Sequence, residues 1–345
     1  MIEKFGKSIG AILDIKNVFI EKENDFIKEN NRINEIYSRQ PKRLNCMNCN
    51  KEIETVDFTK QGIGYSICNN CTHLNGIFQD TDVFCNEVYA DGDQSYADNY
   101  NSESKDEFNN RVEKVYYPKI EFLKKSLLDN NEDINKLSIT DFGAGNGYLV
   151  SAALKTEFKN VKGLEVSQNC VDFANSMIGH EYLNIFSIAD TRQAIKDIDT
   201  EIISMIGVLE HVQEPRLILD EINNNKNIKY IYLSVPVFGL CVYLEMLFPD
   251  MMHRQLSRDH THLYTKESIE WFAKNLNMKI ISTWWFGQEM LDLFRFGSLT
   301  LSKNTNISKM SEKWRKIFLP LIDHLQLEID KEYLSSEVHV LIKKN

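Results

Sequence analysis

Apolar positions divide the chain into three unequal parts. Up to residue 37, Phe5, Ile12, Phe19, Phe26 and Ile33 recur every seven positions, with Ile9, Ile15 and Ile36 offset on the same side. That spacing lines one face of a helix, so residues 1–37 read as an amphipathic helix, laid on its own domain or paired with a second copy of the chain. Lys22, Glu23 and Asn30 dilute the stripe, and Gly6 and Gly10 weaken the helix. The middle part is polar, with short alternating runs at 55–58 and 63–67, a tyrosine-rich stretch at 86–118 and a helical pattern over 106–128. From residue 134 apolar runs of strand length (137–142, 161–166, 182–188, 201–207, 230–235) alternate with helical periods at 148–155, 170–177, 191–196 and 215–223. Such alternation predicts a parallel sheet with helices on both faces. A helix at 267–275, a strand at 279–285 and a last strand at 337–342 follow, with helical patches forming an insertion over 287–335.

Length and composition narrow this picture. A chain of 345 residues with 43% hydrophobic positions can bury a sizeable core. Forty basic against fifty acidic residues give a net charge of -10, so a nucleic-acid partner is not expected. No apolar run is long enough to span a membrane, and Glu3 and Asp14 break the order of a signal peptide, which places the chain in the cytoplasm. Seven cysteines make an awkward odd set for a secreted disulfide protein. In a reducing compartment four can hold a metal and three stay free.

The four are Cys46 and Cys49, then eighteen residues, then Cys68 and Cys71. Two CxxC pairs at this separation each cap a hairpin and offer four thiolates to one tetrahedral Zn2+. With four cysteines no position is left for water, so the metal reads as structural. Gly62 and Gly64 mark turns, which suits a small zinc ribbon; His73, just past the second pair, reads as a surface residue or an alternative ligand. The expected divisions are 1–40 N-terminal helix, 41–85 ribbon, 86–133 linker and leading helix, and 134–345 sheet domain.

Candidate chemistry lies at the strand ends. Asp141-Phe-Gly-Ala-Gly-Asn-Gly147 breaks an apolar run with alternating glycines before a helix, the layout of a backbone closing on a small charged ligand. Tyr148 follows where a dinucleotide fingerprint has no need of a bulky residue, which tilts the reading toward a nucleoside without a pyrophosphate. Gly163-Leu-Glu165-Val166-Ser167, Ala189-Asp190 and Gly207-Val-Leu-Glu210-His211-Val end the next strands. Together these motifs resemble those of class I S-adenosylmethionine-dependent methyltransferases, over roughly residues 110–345. The resemblance implies an α/β fold with a Rossmann-like, doubly wound sheet of seven mostly parallel strands. It also implies that Gly143, Gly145, Gly147, Asp141, Glu165, Val166 and Asp190 hold the donor, with Glu165 on the ribose, Asp190 on the adenine amine and Asp141 on the ammonium. Tyr96 is a further candidate contact.

His211 is the candidate general base, because histidine titrates near neutrality, and Glu210 could tune it. An alternative gives His211 a structural role in the turn before Pro215. Asp259-His260-Thr261-His262 resembles the family's His-rich lead-in to its fifth helix, and one of His260 and His262 is expected to line the acceptor pocket while the other packs. Arg254 and Arg258 would suit a phosphate-bearing acceptor. Trp284 and Trp285 read as sheet core. A four-cysteine module before such a domain is similar to bacterial sugar and surface-glycan methyltransferases, which implies a sugar acceptor, nucleotide-linked or within a glycan. Two further readings stay open: a zinc-ribbon RNA methyltransferase and a non-catalytic donor-binding or scaffold protein.

Overall fold

The computed structural model describes residues 1–10, 23–85, 87–88, 104–249, 251, 254–256, 260–304 and 307–345. Its main sheet is built from β1 (Ile2–Phe5), β5 (Ser138–Phe142), β6 (Asn160–Glu165), β7 (Leu183–Ile185), β8 (Ile202–Ile206), β9 (Tyr230–Pro236), β11 (Met278–Phe286) and β12 (Glu337–Lys344). The order across the sheet is β1-β11-β12-β9-β8-β5-β6-β7. Neighbours from β7 to β9 run parallel, and β12 lies antiparallel between β9 and β11. The seven expected strands are therefore present in a mostly parallel α/β sheet. The chain leaves β5 toward β6 on one side and pairs β5 with β8 on the other, and this reversal opens a crevice at the C-terminal strand ends.

The central strands β8 and β9 are buried and apolar almost throughout because helices cover both faces there. A long helical run, α2 (Lys105–Arg111), a π turn (Val112–Tyr116) and α3 (Tyr117–Asp129), buries Phe108, Val112, Ile120, Leu123 and Leu127 on one face. Ser104 starts it with a reciprocal capping box to Glu107. The sheet helices are α4 (Tyr148–Ala153), α5 (Gln168–Ile178), α6 (Thr191–Lys196), α7 (Pro215–Asn224) and α9 (Lys266–Asn275). Trp284 and Trp285 point to opposite faces, one in each core cluster, as the alternation along a strand requires. The insertion between β11 and β12 folds as α10 (Glu289–Lys303), α11 (Lys309–Phe318) and α12 (Ile322–Lys331).

Residues 2–5 depart from the expected helix: β1 adds an eighth strand, parallel to β11. An edge strand presents unpaired N–H and C=O groups, and satisfying them overrides a seven-residue spacing. Lys4 lies 3.5 Å over the Trp284 ring, whose Nε1 donates to the Gly6 carbonyl. Helix α1 spans Glu23–Ser38, and its Ile33, Ile36 and Tyr37 pack on this chain's own ribbon, beside Ile63, Tyr65 and Leu74. Ile12, Ile15 and Phe19 lie outside the described residues.

The ribbon does not end at residue 85. Strands β2 (Phe58–Lys60), β3 (Ile63–Ile67) and β4 (Leu74–Gly76) form an antiparallel sheet whose fourth strand is β10 (His262–Leu263), nearly two hundred residues later. Gly76 N donates to the Thr261 carbonyl at 2.8 Å. Buried Lys60 seals the joint by pairing with Glu245 of α8 (Leu240–Leu247) at 2.7 Å.

Candidate functional site

The glycine loop leaves β5 at the sheet's reversal. Gly143, Gly145 and Gly147 have φ of +72°, +51° and +74°, a region that side-chain-bearing residues enter at a cost. A Cβ on Gly143 would sit 2.6 Å from Val208 Cγ2, and one on Gly147 2.8 Å from Ala174 Cβ. Tyr148 opens α4 and packs between the Phe108 and Tyr116 rings, which accounts for a bulky residue there. Within the loop, Asn146 is buried and its side-chain nitrogen and oxygen have no hydrogen-bond partner among the described residues. Sequence reading gave Asn146 no role; only its burial singles it out.

Glu165, at the end of β6, faces this loop. One carboxylate oxygen accepts from Gly145 N at 2.7 Å, and the other from Val166 N at 2.8 Å and Ser167 N at 3.0 Å. A carboxylate offers about four lone-pair sites, so these bonds aim the group without using all its capacity. Asp141 is buried under the loop, accepts from Ser204 Oγ at 2.7 Å, and burial pushes its carboxyl up to about 7. Asp190 lies beyond the end of β7, in the exposed turn that opens α6. Val166, Ile185 and Ile188 are exposed apolar side chains around the ends of β6 and β7. Tyr96 lies outside the described residues.

Across the crevice, β8 ends in Gly207, at φ +69°, and a 3-10 turn of Leu209–His211. Glu210 is buried with its Oε1 3.9 Å from His211 Nε2, and the ring centroids of His211 and His260 are 5.1 Å apart. The structure thus joins Glu210, His211 and His260, and separates them from His262. His262 is fully buried in the ribbon sheet, its Nδ1 2.9 Å from Nε2 of His73, and burial holds its pKa well below the usual histidine range. Of the two histidines it is His262 that packs into the fold. His73 corrects the surface reading: it too is fully buried, packed against Tyr264, with its pKa lowered to about 3 by burial. His73 is covered because β10 pairs with β4 directly after it, while Asn69 and Asn70 of the knuckle itself stay exposed.

Arg254 is likewise not offered to a phosphate. Its guanidinium donates to Asp292 at 2.9 Å and to Ser336 Oγ at 3.0 Å, which neutralises it inside the fold. Arg258 lies outside the described residues.

The four cysteines converge. Cys46 and Cys71 sulfurs are 3.7 Å apart, Cys49 and Cys68 sulfurs 3.4 Å, and all four are buried within 4.8 Å of one another. Tetrahedral Zn–S bonds of about 2.3 Å place sulfurs roughly 3.8 Å apart, so the set fits zinc with small adjustments.

A family model described as a methyltransferase domain matches residues 108–283. No curated protein sequence matches significantly. Among solved structures, the methyltransferase domain of bacterial CtHen1-CN is similar at 14% identity, over 66% of this chain and 99% of that one, with a TM-score of 0.40. The plantazolicin methyltransferase BpumL in complex with SAH has 14% identity, 76% and 93% coverage and a TM-score of 0.43. Magnesium protoporphyrin IX methyltransferase (ChlM) from Synechocystis PCC 6803 with bound SAH has 13% identity, 59% and 92% coverage and a TM-score of 0.41.

Proposed function

Because the chain belongs to the methyltransferase-domain family, matched over residues 108–283, we propose that it transfers a methyl group from S-adenosylmethionine to a sugar, nucleotide-linked or within a glycan, or to a related small molecule. The observation that carries the donor assignment is Glu165, held by three backbone N–H groups beside the glycine loop at the point where the strand order reverses. There it accepts from the ribose hydroxyls, while Val166, Ile188 and Asp190 flank the adenine. The ammonium goes to Asp141, and the buried amide of Asn146 supplies polar contacts at the loop.

The donor supplies a methyl already activated on a sulfonium. What remains for the protein is to hold the acceptor atom in line, a positioning effect of roughly 7–11 kcal/mol. A hydroxyl acceptor must also lose a proton, toward the Glu210–His211–His260 cluster. With no metal bound, His211 Nε2 is the candidate base, a role that contributes about 10²–10⁴-fold. The four thiolates would hold Zn2+ as a structural ion.

An acidic chain with a net charge of -10 favours a small-molecule acceptor over RNA. The test is a mass-spectrometric search for acceptors gaining one methyl on incubation with S-adenosylmethionine and a panel of nucleotide sugars, beside calorimetry with S-adenosylhomocysteine. Methylated sugar product supports the proposal. A methylated RNA instead moves the acceptor class, and absence of homocysteine-product binding leaves a scaffold protein.

A further inference from the structure

Glu210, His211 and His260 bring one carboxylate and two imidazoles together at the end of β8, and their donor atoms all lie within 4.8 Å of one another. Three points so spaced fit inside a circle of radius 4.8 Å/√3, so one position is within about 2.8 Å of all three. Bonds from nitrogen and oxygen to a zinc-class ion are roughly 2.0–2.2 Å, so each donor has less than an ångström to move. These are side chains on a short turn and a loop, where such a shift needs only small rotations about χ angles.

The surroundings prepare the donors. Nδ1 of His260 is 3.0 Å from the Gln255 carbonyl. A carbonyl can only accept, so Nδ1 carries the hydrogen and the neutral ring keeps its lone pair on Nε2, the arrangement that orients a ligating imidazole. Glu210 places a carboxylate below the protein surface, where a cation offsets the loss of hydration. Asp80 stands within electrostatic reach of His211. It bonds Arg43 at 3.0 Å and Thr261 Oγ at 2.9 Å, and its other oxygen, buried, has no hydrogen-bond partner among the described residues.

We propose that Glu210, His211 and His260 bind a divalent transition-metal ion, a second centre separate from the four cysteines. Two imidazoles and a carboxylate suit such an ion, and three protein ligands leave coordination positions for oxygens of the acceptor. A vicinal diol, common on sugars, supplies two oxygens to one ion, so the site selects acceptors with neighbouring hydroxyls. This use of the ion rests on the transferase reading; the site itself stands on the three side chains. With the ion bound, the lone pair of His211 Nε2 belongs to the metal, and Lewis-acid polarisation replaces His211 as the means of deprotonation. The hydroxyl proton passes to solvent, the oxygen forms its bond to the methyl carbon, and the methyl–sulfur bond breaks with its electron pair left on sulfur.

The experiment is a Co2+ titration of the zinc-loaded protein, followed by metal analysis after gel filtration and by visible absorption. One Co2+ per chain is expected beyond the zinc, with nitrogen and oxygen ligation and no thiolate-to-metal band. His211→Ala, His260→Ala and Glu210→Gln should each weaken its binding at least tenfold, whereas His324→Ala, on an exposed helix face, should not. Calorimetry with S-adenosylhomocysteine identifies variants that remain folded and separates the two readings. Cobalt retained without homocysteine-product binding supports the centre and sinks the transferase reading. No cobalt beyond the zinc, or unchanged affinity in the three variants, overturns the centre.

Discussion

Asp141 and Glu165 are both carboxylates at strand ends, yet their surroundings differ. Three backbone N–H groups hold Glu165, whereas Asp141 has one hydroxyl donor and a carboxyl pushed up to about 7 by burial. An unfolded aspartate titrates near ~3.9. Because the folded value is higher, the native state holds a proton that the unfolded state has lost. The associated stability is full below about pH 4 and disappears as the pH rises through about 7. Asp141→Asn should therefore flatten the dependence of Tm on pH between those values. A donor ammonium reverses the preference, since it favours the carboxylate. Binding of S-adenosylhomocysteine below pH 7 should release a proton from Asp141 and tighten as the pH approaches 7. Calorimetry in buffers of different ionisation enthalpy reads that release directly, and its absence would remove Asp141 from the ammonium site.

At the scale of elements, the glycine loop and the ribbon are each built around close approach. Gly147 combines φ of +74° with a missing Cβ that would lie 2.8 Å from that of Ala174 on α5. Gly147→Ala should lower stability by about 1–3 kcal/mol and weaken S-adenosylhomocysteine binding, because both the turn and the seating of α5 must give. Denaturant unfolding beside calorimetry checks this; an unchanged midpoint would mean that the loop adopts another conformation. The motif was legible in the sequence because consecutive backbone groups dictate it. Strand β10 was not legible. Two residues, His262 and Leu263, have no periodicity to read, and their pairing partner is Leu74–Asn75 across most of the chain. The same distance explains His73, whose burial arises from the element laid over it rather than from its neighbours in sequence.

For the whole molecule, that pairing ties the four-cysteine module to the methyltransferase domain. The Gly76–Thr261 hydrogen bond, the His73–His262 contact and the Thr261–Asp80 bond all cross the joint, with Asp80 held on the module side by Arg43, and Thr261 adjoins His260. If the four cysteines hold zinc as proposed, removing it should therefore loosen more than the ribbon. Hydrogen exchange after chelation should show lost protection at residues 42–78 and also at 260–264, with β5 and β8 unchanged. Loss confined to 42–78 would show that the joint holds without the metal. A structural zinc site in a small module accounts for much of its folding free energy, which is why its effect should propagate.

Local chemistry was enough to read the alternating strands and helices, the glycine turn, the acidic strand ends and the paired cysteines, because each depends on residues within a few positions of one another. Tertiary structure decided what depends on surfaces meeting. It made residues 2–5 an edge strand instead of a helix, by giving β11 a hydrogen-bonding partner. It enclosed Arg254 with Asp292, and it sent His262 into the ribbon sheet while leaving His260 beside His211. In a regular strand residues i and i+2 would share a side, but β10 begins only at His262, so the packed molecule sends His262 into the ribbon sheet and leaves His260 beside His211.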